Sequence, residues 1–331
     1  MKISETVGID VSKLTIDVRI HTNQVYGQFE NSKKGYKKMI VWAYKNTSAQ
    51  KEEIMFVFEH TVLYSHNLSV YLSGENIPFS IVPGLEIKRS LGISRGKDDK
   101  VDAAKIARYA YRLREELDPY QMPTEDLQKL KRLLTLRERL VRQRAGYKSS
   151  LKEQERILKK TENHLLFKVQ KEMIKHLDKQ IKSIENEMDD IINSDSEMKK
   201  QYDLMLSIKS VGPQTALYII VHTAGFTKFR DSRKFASYCG IAPFPNVSGI
   251  SLKGKTKISS LANKKIKSLL DQCAKSAIVY NQEMKSYYNK RIENGKGKMS
   301  TINVIRNKLL ARIFAVIKRE TPYVDIYKYA A

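Results

Sequence analysis

Four carboxylates in the first third of the chain have a placement that suits metal-assisted chemistry. Asp10 lies within an apolar first strand pattern, and Glu59 ends a later apolar stretch. Asp99 and Asp102 open a helical pattern, where a spacing of three places both on one helical face. Carboxylate oxygens are the hard ligands that Mg²⁺ requires, and such a cluster can hold two ions that activate phosphoryl-transfer oxygens. The sequence therefore predicts that these four acids form one magnesium site.

Each acid has an ordinary explanation when it is considered alone. Asp10 and Glu59 could be strand-end carboxylates in solvent. Asp99 as N-cap, with Asp102 at the third helical position, is close to a capping arrangement. The combination favours the metal site, because one strand, a second strand end and a helix start each supply an acid to the same cluster.

The elements that hold these acids follow a recognisable order. Apolar alternation and short apolar runs predict five strands and two helices: strands at 6–11, 14–20, 25–29, 54–58 and 79–82, and helices at 34–45 and 62–72. Three strands connected as a meander, followed by alternating helix and strand, are the order of an RNase H-like sheet. We therefore expect an RNase H-like α/β domain over residues 1–118.

The middle of the chain has a helical composition. Residues 124–200 contain no Pro and only one Gly, Gly146. Leu127, Leu130 and Leu134 share one face, and a second stripe has the same spacing of three and four: Met173, Leu177, Ile181, Ile184, Met188 and Ile191. This pattern predicts a helical coiled-coil arm over residues 119–200, for oligomerisation or as a spacer, with a hairpin turn near Asn163.

Charge is distributed unevenly along the 331 residues, whose formal net charge is +24. Residues 1–118 hold 18 Lys and Arg against 15 Asp and Glu, and residues 119–331 hold 42 against 21. The second part is therefore +21, which predicts that it binds a polyanion such as nucleic acid. No apolar run approaches the length of a membrane span, so we expect a cytoplasmic protein with no membrane partner.

The four acids resemble the DEDD signature of the RuvC-like transposases of a large insertion-sequence family, the bridge-RNA-guided recombinases. Residues 235–243, 247–249 and 254–259 resemble the transposase domain of the same family. Essentially the whole chain is covered, and two separated motifs that agree are more specific than either alone. The resemblance implies a DNA recombinase with a RuvC-like domain at 1–118, a coiled-coil arm at 119–200 and a mainly helical transposase domain at 201–331.

The resemblance also implies a nucleophile. In that family the Ser of a Ser-Gly pair attacks DNA and becomes linked to a phosphate, and the matching residue here is Ser248. A serine hydroxyl needs activation, which Mg²⁺ bound by the four acids would supply. Ser251 is the nearest competing hydroxyl, and Tyr238 is the competing tyrosine, although its apolar helical pattern predicts that it is packed.

The sequence departs from the family pattern just before Asn263, where Ser260 and Ala262 replace an expected Lys and Gly. That departure puts one phosphate contact and the local turn in doubt. Lysines around the candidate nucleophile could compensate by binding phosphates: Lys253, Lys255, Lys257, Lys264, Lys265 and Lys267. Within residues 251–275 they and Lys275 face a single acid, Asp271.

The resemblance implies further partners and leaves more than one function open. It implies a homo-oligomer, most simply a tetramer, acting on donor and target DNA that a noncoding bridge RNA selects by base pairing. A site-specific DNA invertase of the same family would look nearly identical in sequence. The sequence is also compatible with a metal-dependent junction nuclease that uses only the acids, and with a basic coiled-coil nucleic-acid-binding protein that has no activity.

Overall fold

The computed structural model describes residues 2–61, 63–90, 98–248 and 252–325. The chain divides into two units, Met1–Met122 and Pro123–Ala331, each with its own core. None of the helices in these described ranges combines the length and the apolar character that a bilayer crossing requires. The expected three-part division, with boundaries at 118/119 and 200/201, stays a prediction.

A mixed five-stranded sheet forms the first unit. Its elements, in chain order, are β1 (Glu5–Val11), β2 (Thr15–Ile20), β3 (Tyr26–Glu30), α1 (Lys33–Lys45), β4 (Ile54–Glu59), α2 (His66–Gly74), β5 (Phe79–Val82), α3 (Gly84–Ser90) and α4 (Asp99–Arg112). The strand order is β3-β2-β1-β4-β5, with β1, β2 and β3 antiparallel and β1, β4 and β5 parallel. All five predicted strands are confirmed. Helix α2 begins at His66 rather than at Val62, which itself lies outside the described residues.

Strand alternation gives the sheet two buried faces. Val7 and Ile9 of β1 pack in one core with residues of α1 and α2. Met55 and Val57 of β4 face the opposite core, which includes Ile106 of α4. Because successive strand residues point to opposite faces, Gly8 and Asp10 belong to the face that α4 covers. The sheet therefore brings the start of α4 to the strand that holds Asp10.

Gly8 sets how closely α4 approaches β1. A Cβ at this position would lie 2.2 Å from Ala107 N and 2.5 Å from Ala103 O, both of them α4 backbone atoms. The hydroxyl of Thr6 fixes the same approach by donating to Ala107 O at 3.0 Å. Backbone atoms of a helix cannot rotate away as a side chain can, so only a residue without Cβ is compatible with this packing.

The first testable prediction concerns this contact. Gly8→Ala is expected to push α4 away from β1 and to lower the free energy of unfolding by about 3 kcal/mol, the upper range for overpacking. Urea unfolding followed by circular dichroism measures the change. Gly74→Ala is the matched control, because a Cβ at Gly74 meets nothing within 4 Å. Equal midpoints for the two variants would contradict a close approach at Gly8.

The second unit begins with a long helical hairpin, formed by α5 (Glu125–Ile157) and α6 (His164–Ser194). Ion pairs join early residues of α5 to late residues of α6, as in Arg137 with Glu185 at 2.7 Å, so the two helices run antiparallel. This confirms the helical hairpin and its turn near Asn163. Coiled-coil oligomerisation through this hairpin stays a prediction.

The rest of the second unit is mainly helical, as expected, with one β-hairpin. Its elements are α7 (Ser196–Leu206), α8 (Pro213–Thr223), α9 (Ser232–Tyr238), β6 (Pro243–Ser248), β7 (Leu252–Ile258), α10 (Lys264–Tyr280), α11 (Gln282–Glu293) and α12 (Lys298–Arg319). Leu127, Leu130 and Leu134 of α5 share one core with α7 to α12, so the base of the long hairpin is part of this unit. Strands β6 and β7 pair antiparallel.

Candidate active site

The first unit places the predicted acids around Asp10. Asp10 is the penultimate residue of β1 and is partly buried. Burial raises its pKa from 3.8 to about 6, and the charges of Asp99, Asp102, Asp17 and Glu59 contribute to that rise in that order. The three other predicted acids therefore lie close enough to Asp10 to act on its charge, as a shared cation site requires.

The start of α4 favours a functional role for Asp99 over a capping role. Asp98 is the N-cap, and its carboxylate accepts a hydrogen bond from Lys100 N at 3.1 Å. Asp99 is the first residue of the helix. The alternative explanation, in which Asp99 caps α4, is therefore wrong by one residue, because Asp98 already supplies the capping oxygen. The Asp99 carboxylate is not needed for the cap.

Glu59 ends β4 beside the start of α3. A Cβ at Gly84 would lie 1.9 Å from Glu59 Oε1, so the absence of a side chain at Gly84 makes room for this carboxylate. Parallel strands β1 and β4 end at the same edge of the sheet, which places Glu59 near Asp10. The Glu59 carboxylate therefore lies against the start of α3 and is partly buried rather than fully solvated.

The acids suit a divalent cation by their chemistry, but their side chains do not converge on one point. Among the residues described in this chain, no three His, Cys, Asp or Glu side chains have the geometry of a metal site. Asp102 Oδ1 lies 2.8 Å from Lys105 Nζ instead. Carboxylate oxygens are hard donors that fit a divalent cation, and after burial the charges of the neighbouring acids contribute to the raised pKa of Asp10.

Asp17 is a fifth acid at this site that the sequence analysis missed. It lies on β2 directly opposite Asp10 and is 2% exposed. Its carboxylate accepts hydrogen bonds from the Tyr26 hydroxyl and from Gln28 Nε2, which stabilise its charge. The sequence carries no distinct signal for this burial, since Asp17 occupies a polar position of the regular alternation in Thr15–Ile20.

Ser248 is the last residue of β6, opposite Leu252 of β7. The side chains of Ser248, Lys253 and Lys255 lie outside the described part of the chain, as does the whole of Ser251. The structure places Ser248 at a strand end, next to residues that lie outside its description. Its role as nucleophile stays a prediction.

Side chains of α12 and the backbone of α9 anchor the two ends of this β-hairpin. Asn303 and Asn307 of α12 both donate their side-chain amides to Ile241 O, at 2.9 and 3.1 Å, just before β6. Asn263 N donates to Tyr238 O at 2.9 Å, just after β7. These bonds hold the base of the hairpin to the helical core.

Tyr238 is packed, as its sequence pattern predicted. Its ring packs against Phe229 and Phe235, and burial raises the pKa of its hydroxyl. The hydroxyl lies 2.9 Å from His222 Nδ1 and accepts from Asn263 Nδ2 at 3.2 Å. A tyrosine nucleophile needs an accessible oxygen that can lose its proton, so this environment disfavours Tyr238 as the attacking group.

The predicted nucleic-acid-binding lysines have different surroundings. Lys257 and Lys264 are exposed, and Lys267 is partly buried. Lys265 Nζ lies 3.3 Å from a Glu138 carboxylate oxygen, so its charge is already paired. Binding of phosphates by these lysines stays a prediction, with Lys265 the least available of the described ones.

Both the first and the second part of the chain match known protein families. Residues 7–159 match a family described as transposase, and residues 202–289 match the transposase IS116/IS110/IS902 family. The pilin gene-inverting proteins of Moraxella lacunata and Moraxella bovis are each 28% identical over 327 residues, which cover 96% of this chain and 97% of theirs. The acid cluster falls within the first match and Ser248 within the second. The chain therefore belongs to the IS110 family of transposases and is an enzyme that recombines DNA.

Proposed function

We propose that this protein is an insertion-sequence recombinase that cleaves and exchanges DNA strands through a covalent phosphoserine at Ser248. The observation that carries the proposal is the grouping of Asp99, Asp102 and Glu59 around Asp10. The sheet order β3-β2-β1-β4-β5 supports an RNase H-like, RuvC-like domain for this unit. In such a domain, acids at the end of a central strand and on a packed helix serve phosphoryl transfer.

The four acids and Ser248 have different roles in the proposed reaction. Asp10, Glu59, Asp99 and Asp102 would hold Mg²⁺, which when bound supplies charge stabilisation to the phosphoryl oxygens. The Ser248 oxygen forms a bond to the DNA phosphorus and releases its proton, while the bond to the leaving DNA oxygen breaks and that oxygen gains a proton. Because one phosphoester replaces another, the step is reversible, and attack by a second DNA end releases Ser248 and completes the exchange.

The same proposal includes how copies of the chain assemble and how an RNA selects the DNA. The hairpin of α5 and α6 would join copies of the chain as a coiled coil, most simply in a tetramer, so that acids of one copy act with Ser248 of another. The net charge of +21 over residues 119–331 supports binding of DNA and of a noncoding bridge RNA that selects donor and target. The RNA would supply the sequence choice by base pairing.

A site-specific invertase is the second candidate function. Two relatives that align over 96% of this chain are named for inversion of a pilin gene. Inversion and transposition use the same cleavage and exchange, and they differ in how the two recombining sites are placed on the DNA. The placement of the sites, and not the protein chemistry, therefore decides between them.

Reconstitution tests the proposed function. The full-length protein is incubated with a plasmid that carries the flanking element ends and the noncoding region, with Mg²⁺ or with a chelator, and with or without the transcribed RNA. We expect recombinant junctions only when Mg²⁺ and RNA are both present, with excision or inversion according to the orientation of the ends. Cleavage without strand joining and without attached protein would instead indicate a junction nuclease that uses water.

A further inference from the structure

Two acids of the first unit face each other across neighbouring strands. Asp10 of β1 and Asp17 of β2 are partners in the antiparallel register, so their side chains lie on the same face of the sheet, the one that α4 covers. Directly opposite side chains in such a pair have Cβ atoms about 5 Å apart, and like charges in this position destabilise the sheet. Asp10 is partly buried and Asp17 is 2% exposed, so water and salt screen their repulsion poorly.

The hydrogen bonds of Asp17 leave one of its two oxygens without a donor. The Tyr26 hydroxyl donates to Asp17 Oδ1, and Gln28 Nε2 donates to the same oxygen at 3.1 Å. Among the residues that the structure describes, none donates to Oδ2. Buried polar atoms are ordinarily hydrogen-bonded, because their removal from water is costly. Oδ2 therefore has the capacity to bind a further group.

Glu5, at the opposite end of β1, is an equally buried acid whose two oxygens both have donors. It is 2% exposed, Thr6 N donates to Oε1 at 2.8 Å, and the Thr22 hydroxyl donates to Oε2. A carboxylate that only supports the fold is expected to be satisfied in this way. Asp17 has the same burial without the same satisfaction, and it lies on the face of the sheet that holds Asp10.

The lysines at the start of α4 are directed to other groups. Lys100 Nζ lies 4.9 Å from the centroid of the Tyr26 ring, and Lys105 Nζ pairs with Asp102 at 2.8 Å. Within the described ranges of the chain, no Lys, Arg or His forms an ion pair with either of the two opposed acids. The protein therefore keeps two carboxylates face to face without a positive side chain between them.

We propose that Asp17 is a fifth ligand of the cation site and shares a divalent cation with Asp10, with Oδ2 as the oxygen that is available to the ion. Tyr26 and Gln28 would orient this ligand by holding Oδ1, as outer partners orient metal-binding carboxylates. A shared cation would replace the repulsion of the two acids by attraction. The inference rests on the proposed function for the presence of a metal, and it adds β2 and β3 to the elements that hold the ion.

Asp17→Asn tests the role of the free oxygen. The amide keeps one oxygen for the bonds from Tyr26 and Gln28, and it removes the charge and the second carboxylate oxygen. Binding of Mn²⁺, which carboxylates hold as they hold Mg²⁺, is measured on the full chain by isothermal titration calorimetry. Loss of a ligand should raise the Kd by about 10-fold or more. Glu5→Gln is the matched control, because it removes the charge of an equally buried acid and should leave the Kd unchanged.

Thermal unfolding at a fixed, mildly alkaline pH adds a comparison of sign. Without a cation Asp17→Asn should be at least as stable as the wild type, since it removes one of two opposed charges, and with Mn²⁺ the wild type should gain more stability. A variant that is less stable without a cation and gains as much from Mn²⁺ as the wild type would show a structural carboxylate and overturn the inference. Equal Kd values would also overturn it and leave the proposed function standing, whereas a wild type that binds no Mn²⁺ would defeat both.

A cysteine variant provides a second test that does not depend on the folding of Asp17→Asn. Asp17→Cys places a soft thiolate opposite Asp10, and thiolates prefer softer ions such as Cd²⁺ to Mg²⁺. Addition of Cd²⁺ should therefore produce a thiolate-to-metal absorption band that the wild type lacks, because Cys239 and Cys273 are buried in the core of the second unit. No band above that of the wild type would show that position 17 does not reach the cation, and would overturn the inference.

Discussion

Asp10→Asn is expected to reduce strand cleavage by about 1000-fold, which corresponds to about 4 kcal/mol of lost transition-state stabilisation. The charges of the other acids all act on Asp10. A cation shared by the cluster should therefore depend on this carboxylate more than on any other. Asn keeps the shape of the side chain and removes its charge. Circular dichroism and DNA binding should therefore remain close to the wild type, while the cleavage rate in Mg²⁺ falls.

A cation titration separates loss of the ion from loss of the fold. Mg²⁺ should raise the Tm of the wild type by mass action and leave that of Asp10→Asn unchanged. Without a cation, ionisation of Asp10 should lower the stability of the wild type instead. Burial and neighbouring acids raise the pKa of Asp10 from 3.8 to about 6, so the wild type loses stability as pH rises through that interval, because the unfolded chain releases the proton first. The Asn variant should lack this loss.

Asp98→Asn is the matched control for this prediction. It removes one negative charge from the same helix start, and Asn caps a helix about as well as Asp. Cleavage should then stay within about 3-fold of the wild type, whereas Asp102→Asn should behave like Asp10→Asn. Full activity of Asp10→Asn or Asp102→Asn, or an equal loss in Asp98→Asn, would show that the acids act without a shared cation.

The sheet of the first unit was largely predictable because short-range patterns in the sequence specify its strands. Alternation in β1 and β2 and the apolar run of β4 each specify a strand, and their order leaves few ways to pair them. The sequence could not show that α4 crosses β1 at Gly8. That contact depends on the distance between two backbones that are separated by about 95 residues of chain, and a glycine within a strand has several ordinary explanations.

Polar residues within strands were harder to interpret than apolar ones. Asp17 follows the strand period as well as its apolar neighbours do, and only the register shows that it lies opposite Asp10. The pairing of Lys105 with Asp102 has a sequence signal, since a spacing of three on a helix brings opposite charges together. Asp102 was interpreted as a capping residue or a metal ligand, and its pairing with Lys105 was not predicted.

In the second unit the long helices were predicted from the sequence, whereas strand β7 and the ion pairs between distant residues were not. The apolar stripes of α5 and α6 and the turn near Asn163 predicted a helical hairpin, because a helical period is visible over a long segment. Strand β7 was missed, although Lys253, Lys255 and Lys257 have the spacing of two that is typical of a strand. The lysines were interpreted as phosphate ligands and not as a periodicity. Partners such as Glu138 for Lys265 lie more than 120 residues away in the sequence and could not be inferred from it.

Ser248→Ala is expected to abolish covalent attachment of the protein to DNA, with strand exchange falling below detection. The substitution removes one oxygen and retains a small side chain, so the loss should be chemical and not structural. An active reaction is stopped with denaturant, and the DNA-linked peptide is identified by mass spectrometry. In the wild type it should contain Ser248. Ser251→Ala and Tyr238→Phe are the matched controls, since each removes one competing hydroxyl from the same region.

The controls should respond in different ways. Ser251→Ala should keep the adduct and the rate of exchange. Tyr238→Phe should also keep the adduct on Ser248, although it removes the bond to His222 and weakens the position of Asn263, so its rate should fall by about 10-fold or less. An adduct found on Ser251 or on a tyrosine, or exchange that persists in Ser248→Ala, would move the nucleophile elsewhere. In that case the anchoring of β6 and β7 by Asn303, Asn307 and Tyr238 would serve the fold of the hairpin alone, because its tip would hold no reacting atom.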